Sequence, residues 1–132
     1  LLEAGLVPVP YGDVAPDAAQ GCCIVSTEDL FAYLCTAFPV RRVIMAGRLD
    51  GVLHGDGSLV EQLSVADFAA LRPELIGAAG VDVTGGMLHK VERLLSLAEG
   101  GAPGLILNGL APGRLRDALR GDDVVGTVIR GA

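Results

Sequence analysis

Tryptophan, lysine and long apolar runs are scarce or missing in this chain. Its 132 residues include no Trp and one Lys, and 16 acidic residues against 10 basic ones give a formal net charge of −6. Binding nucleic acid through its phosphates needs a basic surface, so we expect no nucleic-acid partner. No apolar run reaches the ~18 residues of a membrane-spanning helix, and no basic region precedes an apolar one as in a signal peptide. We therefore expect neither a membrane partner nor a secretory leader.

Cysteine is also rare, and its spacing argues against two common uses. Cys22, Cys23 and Cys35 make an odd count with two direct neighbours, which is a poor disulfide framework, and no CxxC pair exists to hold zinc. The pattern favours a reducing compartment, so we expect a cytoplasmic protein with Cys22 and Cys23 as core thiols. The sequence predicts no metal site built from protein ligands.

The residues that are abundant predict a folded α/β domain. Hydrophobic residues make up 51% of the chain, and its 19 glycines are scattered, which indicates many tight turns. Apolar residues recur with helical spacing in some segments and form short continuous runs in others. The predicted strands cover 21–26, 41–46, 104–108 and 126–129. An extended run is expected at 6–11, a polar stretch that ends at 20, and a hairpin at 51–60. The predicted helices cover 27–38, 64–71, 74–79, 87–98 and a last segment with Leu115 and Leu119 on one face.

The alternation of strands and helices predicts a largely parallel sheet with helices on both faces. In such sheets ligands collect at the carboxyl ends of the strands. The segments that fall there are 12–13, 26–29, 47–51 and 108–109.

The strongest local signal is the segment Asp82-Val-Thr-Gly-Gly-Met-Leu-His-Lys90. Paired glycines at the start of a helix let backbone amides approach an anion, and the helix dipole favours negative charge there. Lys90 lies about one turn into that helix and can reach the same anion, since lysine binds phosphate as a point charge. Nine of the ten basic residues are Arg, so the placement of the single Lys beside this loop favours a phosphate site. An ordinary loop followed by a solvated lysine explains the local pattern about equally well.

Other polar residues admit a functional and a structural interpretation. Asp13 could orient an acceptor or a metal, or could simply close an Asx-turn. Glu28 and Asp29 could serve a site, or could be the charges that favour a helix start after a Ser26 or Thr27 cap. His54 and His89 are each expected to be surface residues rather than ligands.

Five blocks in a fixed order resemble the carboxy-terminal half of the amino acid kinase superfamily, and within it the isopentenyl phosphate kinase family. The most specific is Asp82-Val-Thr-Gly-Gly-Met-x-x-Lys90. The others are Val7-Pro-Val-Pro-Tyr-Gly-Asp-Val14, Ile24-Val-Ser-Thr-Glu-Asp-Leu30, Arg42-Val-Ile-Met-Ala-Gly-Arg-Leu-Asp-Gly-Val52, and Asn108-Gly109 followed by Gly126-Thr-Val-Ile129. The resemblance implies a three-layer αβα sandwich with a mainly parallel sheet. Residues 1–132 would be the nucleotide-binding half of that domain, and the amino-terminal half would be absent.

The resemblance also implies a reaction and a set of site residues. The reaction is transfer of the ATP γ-phosphate to isopentenyl phosphate, with Mg²⁺ held largely by phosphate oxygens and water. Lys90 and Asp13 would be catalytic, and the complete enzyme would be a homodimer with a small-molecule acceptor. Residues implied to bind the acceptor are Gly12 and Asp13; those implied to bind ATP are Ser26, Thr27, Glu28, Gly47, Asp50, Gly51, Thr84, Gly85, Gly86 and Lys90.

The sequence departs from the family pattern at two points. The family usually has Thr-Asp-Val-Asp-Gly where this chain has Gly47-Arg48-Leu49-Asp50-Gly51, so the adenosine contacts are altered, and Asp50-Gly51 could simply be a turn. Glu28 stands where Asp is common, which moves the carboxylate by one methylene. The chain also lacks the family's early Lys, its Gly-Gly-Gly loop and its acceptor-binding His.

Two expectations follow from the missing motifs. The chain starts Leu1-Leu2-Glu3-Ala4-Gly5, which is typical of a last helical turn closed by a glycine, so we treat it as a possible fragment. We expect the 132 residues alone to be inactive. The alternatives are a related kinase that phosphorylates a carboxylate, carbamate, phosphonate or nucleoside monophosphate, a non-catalytic nucleotide- or effector-binding domain, and an α/β fragment without activity.

Overall fold

The computed structural model describes residues 1–9, 11–77 and 86–131, and the chain divides into two units, Leu1–Pro39 and Val40–Ala132. The side chains of Leu2, Ile76 and Gly77 are outside this description as well. In the described parts of the chain, no helix is both long and apolar enough to cross a bilayer.

The smaller unit, Leu1–Pro39, is built from a hairpin and one helix. After a 3₁₀ turn at Leu2–Ala4, strands β1 (Asp13–Asp17) and β2 (Gly21–Val25) pair antiparallel, and helix α1 (Thr27–Ala37) follows. The polar stretch that the sequence suggested before residue 21 is thus half of a hairpin. Its turn is held by the Asp17 carboxylate, which accepts hydrogen bonds from the amides of Ala19 and Gln20 at 2.8 Å each and has its pKa lowered by them.

The extended run expected at 6–11 forms no strand in its described residues. The expectation that β2 is buried is wrong, because β2 is a strand but not a buried one. Ile24 is 83% exposed and Cys22 is exposed as well, while Cys23 is partly buried. The apolar composition of β2 suggested a core strand, but in a two-stranded hairpin neither strand has neighbours on both sides.

The larger unit, Val40–Ala132, is organised around a four-stranded sheet in the order β3-β5-β6-β4. Its strands are β3 (Val43–Gly47), β4 (Gln62–Leu63), β5 (Gly104–Asn108) and β6 (Thr127–Ile129); its helices are α2 (Val65–Gly77), α3 (Gly86–Glu99) and α4 (Arg114–Arg120). β3 pairs parallel with β5, and β4 pairs parallel with β6, whereas β5 and β6 run antiparallel. The sheet is therefore mixed but mostly parallel.

Side-chain alternation along β5 shows a helix on each face of this sheet. Leu105 and Leu107 share one face and cluster with Ala118 of α4. Gly104 lies on the other face, where a Cβ would come within 3.1 Å of the Leu94 side chain of α3. A strand whose successive residues meet different helices is the middle of three layers, which confirms the αβα arrangement within this unit.

Helix α3 matches its predicted face, and α2 does not match its predicted length. Val91, Leu94, Leu95 and Ala98 of α3 are all buried, as their spacing indicated. The two helices expected at 64–71 and 74–79 are joined in the described residues as one helix, Val65–Gly77, which contains Pro73, and residues 78 and 79 lie outside the description. Proline lacks an amide hydrogen but does not always end a helix, so the boundary drawn before it is wrong.

Helix α4 buries a different face from the one its sequence suggested. Leu115 is 38% exposed and Leu119 is 72% exposed, whereas Ala118 is fully buried. A helix of seven residues makes fewer than two turns of contact. The small Ala118 therefore carries the packing against β5, and the two leucines do not.

Candidate functional site

A cavity of about 440 Å³ opens at the carboxyl end of β3, on the face of the sheet that carries α3. Parallel pairing of β3 with β5 sets Met45 beside Ile106 and Gly47 beside Asn108, so the ends of both strands meet there. The carboxyl end of a parallel strand pair is where α/β proteins place ligands. The described residues that line the cavity are Met45, Gly47, Arg48, Leu49, Met87, Lys90 and Ile106.

The first turns of α3 supply one wall of this cavity. The helix starts at Gly86, and Met87 and Lys90 lie three residues apart on the side that faces the cavity. The same side of the helix continues past Lys90 into the buried residues Val91 and Leu94, and α3 packs there on the sheet. Because free amide hydrogens and the positive end of the dipole lie at the helix start, this wall favours an anion.

The cavity combines two cations with an apolar floor. Arg48 and Lys90 both line it, and in the described part of the chain no carboxylate forms an ion pair with either. Met45 and Ile106 are buried beneath them at 6% and 1% exposure. A ligand with an apolar ring and a string of negative charges fits this division.

Asp50 belongs to the same loop, and its carboxylate is engaged by the next strand and helix. Its Oδ1 accepts hydrogen bonds from Arg114 Nη1 and, at 3.3 Å, from Asn108 Nδ2. The guanidinium of Arg114 is the main cause that lowers the pKa of Asp50, and the Asn108 amide adds to it. The nucleotide contact implied for Asp50 stays a prediction.

Gly51 is buried against β6. A Cβ at Gly51 would lie 2.4 Å from Thr127 Oγ1 and 2.9 Å from the Thr127 amide nitrogen. The Thr127 hydroxyl donates to the carbonyl of Val60 at 2.6 Å and accepts from the amide of Val52 at 2.8 Å. The structure thus gives a packing reason for the glycine, while its implied role toward ATP stays a prediction.

In the smaller unit, the structure brings Gly12, Asp13 and Ser26 to one end of the hairpin. Asp13 pairs with Val25, and a Cβ at Gly12 would lie 2.7 Å from the Val25 carbonyl and 3.0 Å from the Thr27 amide nitrogen. Asp13 Oδ1 accepts from the neighbouring amide of Val14 at 2.7 Å. Gly12 therefore has no room for a side chain, and Asp13 keeps an exposed carboxylate beside the start of α1.

Ser26, Thr27 and Glu28 form the beginning of α1. Ser26 is the N-cap: its hydroxyl accepts from the Asp29 amide at 3.1 Å and contacts the Asp29 carboxylate at 2.7 Å in a capping box. The capping interpretation of Ser26 and Asp29 is therefore confirmed, and Glu28 adds a partly buried carboxylate in the same turn. Their implied contacts with nucleotide phosphate stay predictions.

Two implied ATP ligands, Thr84 and Gly85, lie outside the described residues, and Gly86 is the first residue of α3. In the described ranges, no group of three or more His, Cys, Asp or Glu residues is placed to hold a metal ion. His54 and His89 are exposed, as expected. His54 contacts the Glu74 carboxylate at 3.2 Å, and neither is among the described residues that line the cavity.

Several cavity residues escaped the sequence analysis. Met45 and Ile106 are ordinary strand residues, and only the register between two strands makes them neighbours. Met87 is part of the most specific sequence block but was not assigned a role, although its helical spacing from Lys90 places both on one side of α3. Arg114 could have been singled out from the sequence. A basic residue in the first turn of a helix is opposed by the helix dipole, so a carboxylate partner elsewhere is expected.

Comparison with known proteins assigns the family. The family model of the amino acid kinase family matches residues 1–108, which is most of the chain. The chain belongs to the amino acid kinase family. The resemblance drawn from the five sequence blocks is thereby confirmed.

The relatives of this amino acid kinase family member include proteins named for two reactions. It is 36% identical to the isopentenyl phosphate kinase of Methanothermobacter thermautotrophicus over 98% of its own length and 51% of the relative. It is 38% identical to that of Haloferax volcanii over 99% of its length and 49% of the relative. An acetylglutamate kinase of Campylobacter curvus is 33% identical over 99% of this chain and 44% of the relative. The chain thus spans about half the length of the relatives it matches.

A solved structure supports the same fold. An X-ray structure of an isopentenyl phosphate kinase superimposes with a TM-score of 0.73 and 31% identity, over 97% of this chain and 47% of the other. An N-acetylglutamate synthase from Neisseria gonorrhoeae, at 23% identity and a TM-score of 0.62, shares the fold over 83% of this chain. The predicted fold class is therefore confirmed for a chain of about half the length of that kinase structure.

Proposed function

We propose that this chain is the nucleotide-binding part of an ATP-dependent kinase that phosphorylates isopentenyl phosphate. The observation that carries the proposal is that Lys90 and the end of β3 line one cavity at the carboxyl ends of parallel strands. This cavity joins described residues of two segments that the sequence analysis treated separately: Gly47, Arg48 and Leu49 from one, and Met87 and Lys90 from the other. The names of the isopentenyl phosphate kinase relatives support the choice of reaction.

The lining of the cavity supports a definite orientation for ATP. The adenine ring is proposed to lie on the side chains of Met45, Leu49 and Ile106, which offer an apolar surface without charge. The phosphates are proposed to lie toward Lys90 and the first amides of α3. Arg48 is at the same mouth and adds a second positive charge near the phosphate chain.

The chemistry proposed for these residues is electrostatic. An oxygen of isopentenyl phosphate forms a bond to the γ-phosphorus of ATP, the bond from that phosphorus to the β,γ-bridging oxygen breaks, and ADP leaves with the electron pair. Phosphoryl transfer depends on positioning and on neutralising the phosphate oxygens more than on covalent help from the protein. Lys90 supplies a fixed positive charge for those oxygens, and the product is isopentenyl diphosphate.

Mg²⁺ is proposed to arrive with ATP. The described residues do not offer the carboxylate set that a protein-held ion needs, so we assign no protein ligands to it and derive no step through it. Mg²⁺ keeps several waters and is often bound mainly by substrate phosphates. The ion would supply charge neutralisation on the phosphate chain.

The smaller unit is proposed to serve the acceptor and the transferring phosphate. Asp13 and Gly12 are proposed to lie near the acceptor, with Asp13 orienting it. Ser26, Thr27 and Glu28 are proposed to meet the nucleotide phosphates at the start of α1. The complete enzyme is proposed to be a cytoplasmic homodimer, and the isolated 132 residues are proposed to be inactive.

A second acceptor class has specific support. The acetylglutamate kinase relatives are 28–33% identical to this chain, only slightly less than the isopentenyl phosphate kinases. A carboxylate acceptor is therefore the main alternative. A non-catalytic nucleotide-binding domain is the other, since Gly47 and Arg48 replace the usual loop residues.

The decisive test replaces Lys90 in the complete enzyme. Lys90→Gln is expected to lower kcat by roughly 100- to 1000-fold, which is the usual cost of losing one electrostatic contact to the transition state. Arg120→Gln is the matched control, because it also removes one positive charge from an exposed helix position outside the cavity. Steady-state kinetics with isopentenyl phosphate, acetylglutamate, a carbamate, a phosphonate and a nucleoside monophosphate identify the acceptor.

The outcomes separate the candidates. Turnover of isopentenyl phosphate above all other acceptors supports the proposed reaction, and turnover of acetylglutamate would replace it with the alternative. Saturable ATP binding without turnover of any acceptor would favour the non-catalytic domain. Equal kinetics for Lys90→Gln and the wild type would remove Lys90 from the mechanism.

A further inference from the structure

The loop between β3 and the buried Gly51 is fixed at its two ends but has little backbone support between them. At one end the Gly47 carbonyl accepts from the Gly109 amide at 2.9 Å. At the other end the Val52 amide donates to Thr127 Oγ1. Between these points, no described backbone group hydrogen-bonds to the backbone of residues 48–50. The position of this short segment therefore depends on its side chains.

One side chain of the segment is held, and it is Asp50. Its Oδ1 receives hydrogen bonds from Arg114 Nη1 at the start of α4 and from Asn108 Nδ2 at the end of β5. The side-chain oxygen Oδ1 of Asn108 in turn accepts from the Leu110 amide at 2.9 Å, which orients the side-chain amide nitrogen toward Asp50. The contact thus ties the loop after β3 to the turn that joins β5 and α4.

Arg114 is placed for this contact rather than for its own helix. A cation in the first turn opposes the helix dipole, so the position costs α4 some stability unless a carboxylate compensates. The Arg114 side chain is 19% exposed, whereas the Asp50 side chain is 50% exposed. Arg114, the more buried partner, lies in the helix, and Asp50, the more exposed partner, lies in the loop. This is expected when a helix holds a loop in place.

We propose that Asp50 and Arg114 are positioning residues that set the affinity for ATP by holding Arg48 and Leu49 at the cavity. The inference rests on the proposed function and deepens it. Arg48 and Leu49 line the cavity, while neither Asp50 nor Arg114 is among the described residues that do so. The pair therefore acts on the nucleotide through the two residues that precede Asp50.

A second consequence is electrostatic. An aspartate two residues from Arg48 would weaken the attraction of this mouth for phosphate if its charge were unpaired. Arg114 neutralises that charge locally, and the same contact keeps the pKa of Asp50 below its usual range. The carboxylate is thus ionised and paired throughout the neutral pH range.

The test compares the pair of Asp50 and Arg114 with a second acidic–basic pair, both members of which lie in α4. Asp50→Asn, Arg114→Ala, Arg114→Lys and the double variant Asp50→Asn with Arg114→Ala are made in the complete enzyme. Asp117→Asn and Arg116→Ala are the matched controls, since Arg116 Nε contacts Asp117 at 2.8 Å within α4 and neither is among the described residues that line the cavity. The readouts are the dissociation constant for ATP, KM for each substrate and the melting temperature.

The expected result is a selective loss for ATP. Asp50→Asn and Arg114→Ala each weaken ATP binding roughly tenfold while KM for the acceptor stays within twofold, because small misplacements of binding groups are costly. The double variant is no weaker than either single one, since both changes remove the same contact. Arg114→Lys restores part of the affinity, because a single guanidinium nitrogen makes the contact and an ammonium can replace it.

Each other outcome overturns the inference. A loss for Asp50→Asn but none for Arg114→Ala would make Asp50 a direct ligand. Equal changes in both KM values together with a lower melting temperature would make the pair merely structural, and no change at all would leave it without a role.

The proposed function fails separately from this inference. Absence of ATP binding by the wild type would overturn the proposed function and the role of the pair in affinity with it. Amide hydrogen exchange at residues 48–50 then tests whether the contact between Asp50 and Arg114 positions the loop. Faster exchange in both single variants supports positioning of the loop, and unchanged exchange overturns it.

Discussion

The two units of this chain differ sharply in how they treat their apolar side chains. Among the described residues, all sixteen buried hydrophobics lie in Val40–Ala132, whereas nine of the fourteen large exposed hydrophobics lie in Leu1–Pro39. The larger unit carries the cavity on a sheet covered from both faces. The smaller unit carries its implied acceptor residues on a hairpin and a helix without one buried side chain among the described residues.

The two units therefore differ in how far each can be stabilised by its own buried side chains. A unit of 39 residues cannot bury much surface by itself, because the fraction of surface that a chain buries on folding falls with its length. We expect the exposed apolar side chains of this unit to be covered by other protein in the complete enzyme. The cavity residues of the larger unit, by contrast, rest on their own core.

The largest expected effect contrasts one apolar truncation in each unit. Leu107→Ala is expected to lower the free energy of unfolding by about 3 kcal/mol, because it opens a cavity at a fully buried position. Ile24→Ala, at a position 83% exposed, is expected to change it by less than about 0.5 kcal/mol. Urea unfolding of the 132-residue chain measures both values.

Repeating this pair in the complete enzyme sharpens the comparison. A cost for Ile24→Ala that rises above about 1 kcal/mol there would show that further protein covers the hairpin. Equal costs for the two truncations in the 132-residue chain would contradict the division into a buried and an exposed unit.

The next effect comes from two tight glycines, one in each unit. Gly51→Ala is expected to cost about 2 kcal/mol, because its Cβ would collide with Thr127 in a packed core that cannot give way. Gly12→Ala meets the Val25 carbonyl at 2.7 Å, but none of the residues that its Cβ would meet is fully buried, so the surrounding backbone can shift. We expect at most about half the cost there.

Thermal unfolding followed by circular dichroism compares the two glycine variants. Gly21→Ala is a useful control, since nothing lies within 4 Å of its Cβ and only its positive φ of 82° is strained. A larger loss for Gly12→Ala than for Gly51→Ala would mean that the smaller unit is the more rigid one.

The sequence predicts the elements whose signal is local and misses those that depend on pairing. β5 is predicted at its observed bounds because five residues without charge stand between glycine-rich turns, and the buried face of α3 follows from its spacing. β1 was missed because Asp13 and Pro16 disfavour a strand. Pro16 is tolerated there because a two-stranded hairpin has free edges. β4 has two residues and exists only through its partner β6.

The candidate site shows the same limit. Lys90 and the 47–51 loop could be found from a glycine pair, a single lysine and the ends of predicted strands. That they line one cavity depends on how α3 packs over β3 and β5, which no local pattern encodes. The contact between Asp50 and Arg114 spans 64 residues of sequence, so only the folded chain reveals it.

The smallest effect tests the smaller unit without any mutation, because all three cysteines lie in it. Cys22 is exposed, whereas Cys35 is partly buried in α1, and burial raises the pKa of its thiol. The thiolate is the reactive form, so a raised pKa lowers the reactive fraction near pH 7.5 and restores it only at more alkaline pH. We expect iodoacetamide to modify Cys35 several-fold more slowly than Cys22 at pH 7.5, with the gap narrowing above about pH 9.

Peptide mass spectrometry over a time course measures the two rates, and the urea-unfolded chain, in which the thiols should react alike, is the control. Equal rates in the folded chain would mean that α1 does not protect Cys35. The partly buried side chains of the smaller unit would then be accessible to the reagent. A gap that persists at alkaline pH would instead assign the protection to steric access rather than to the thiol pKa. A slower Cys35 in the complete enzyme than in the 132-residue chain would show that further protein closes over this unit and supplies the cover that its apolar side chains lack.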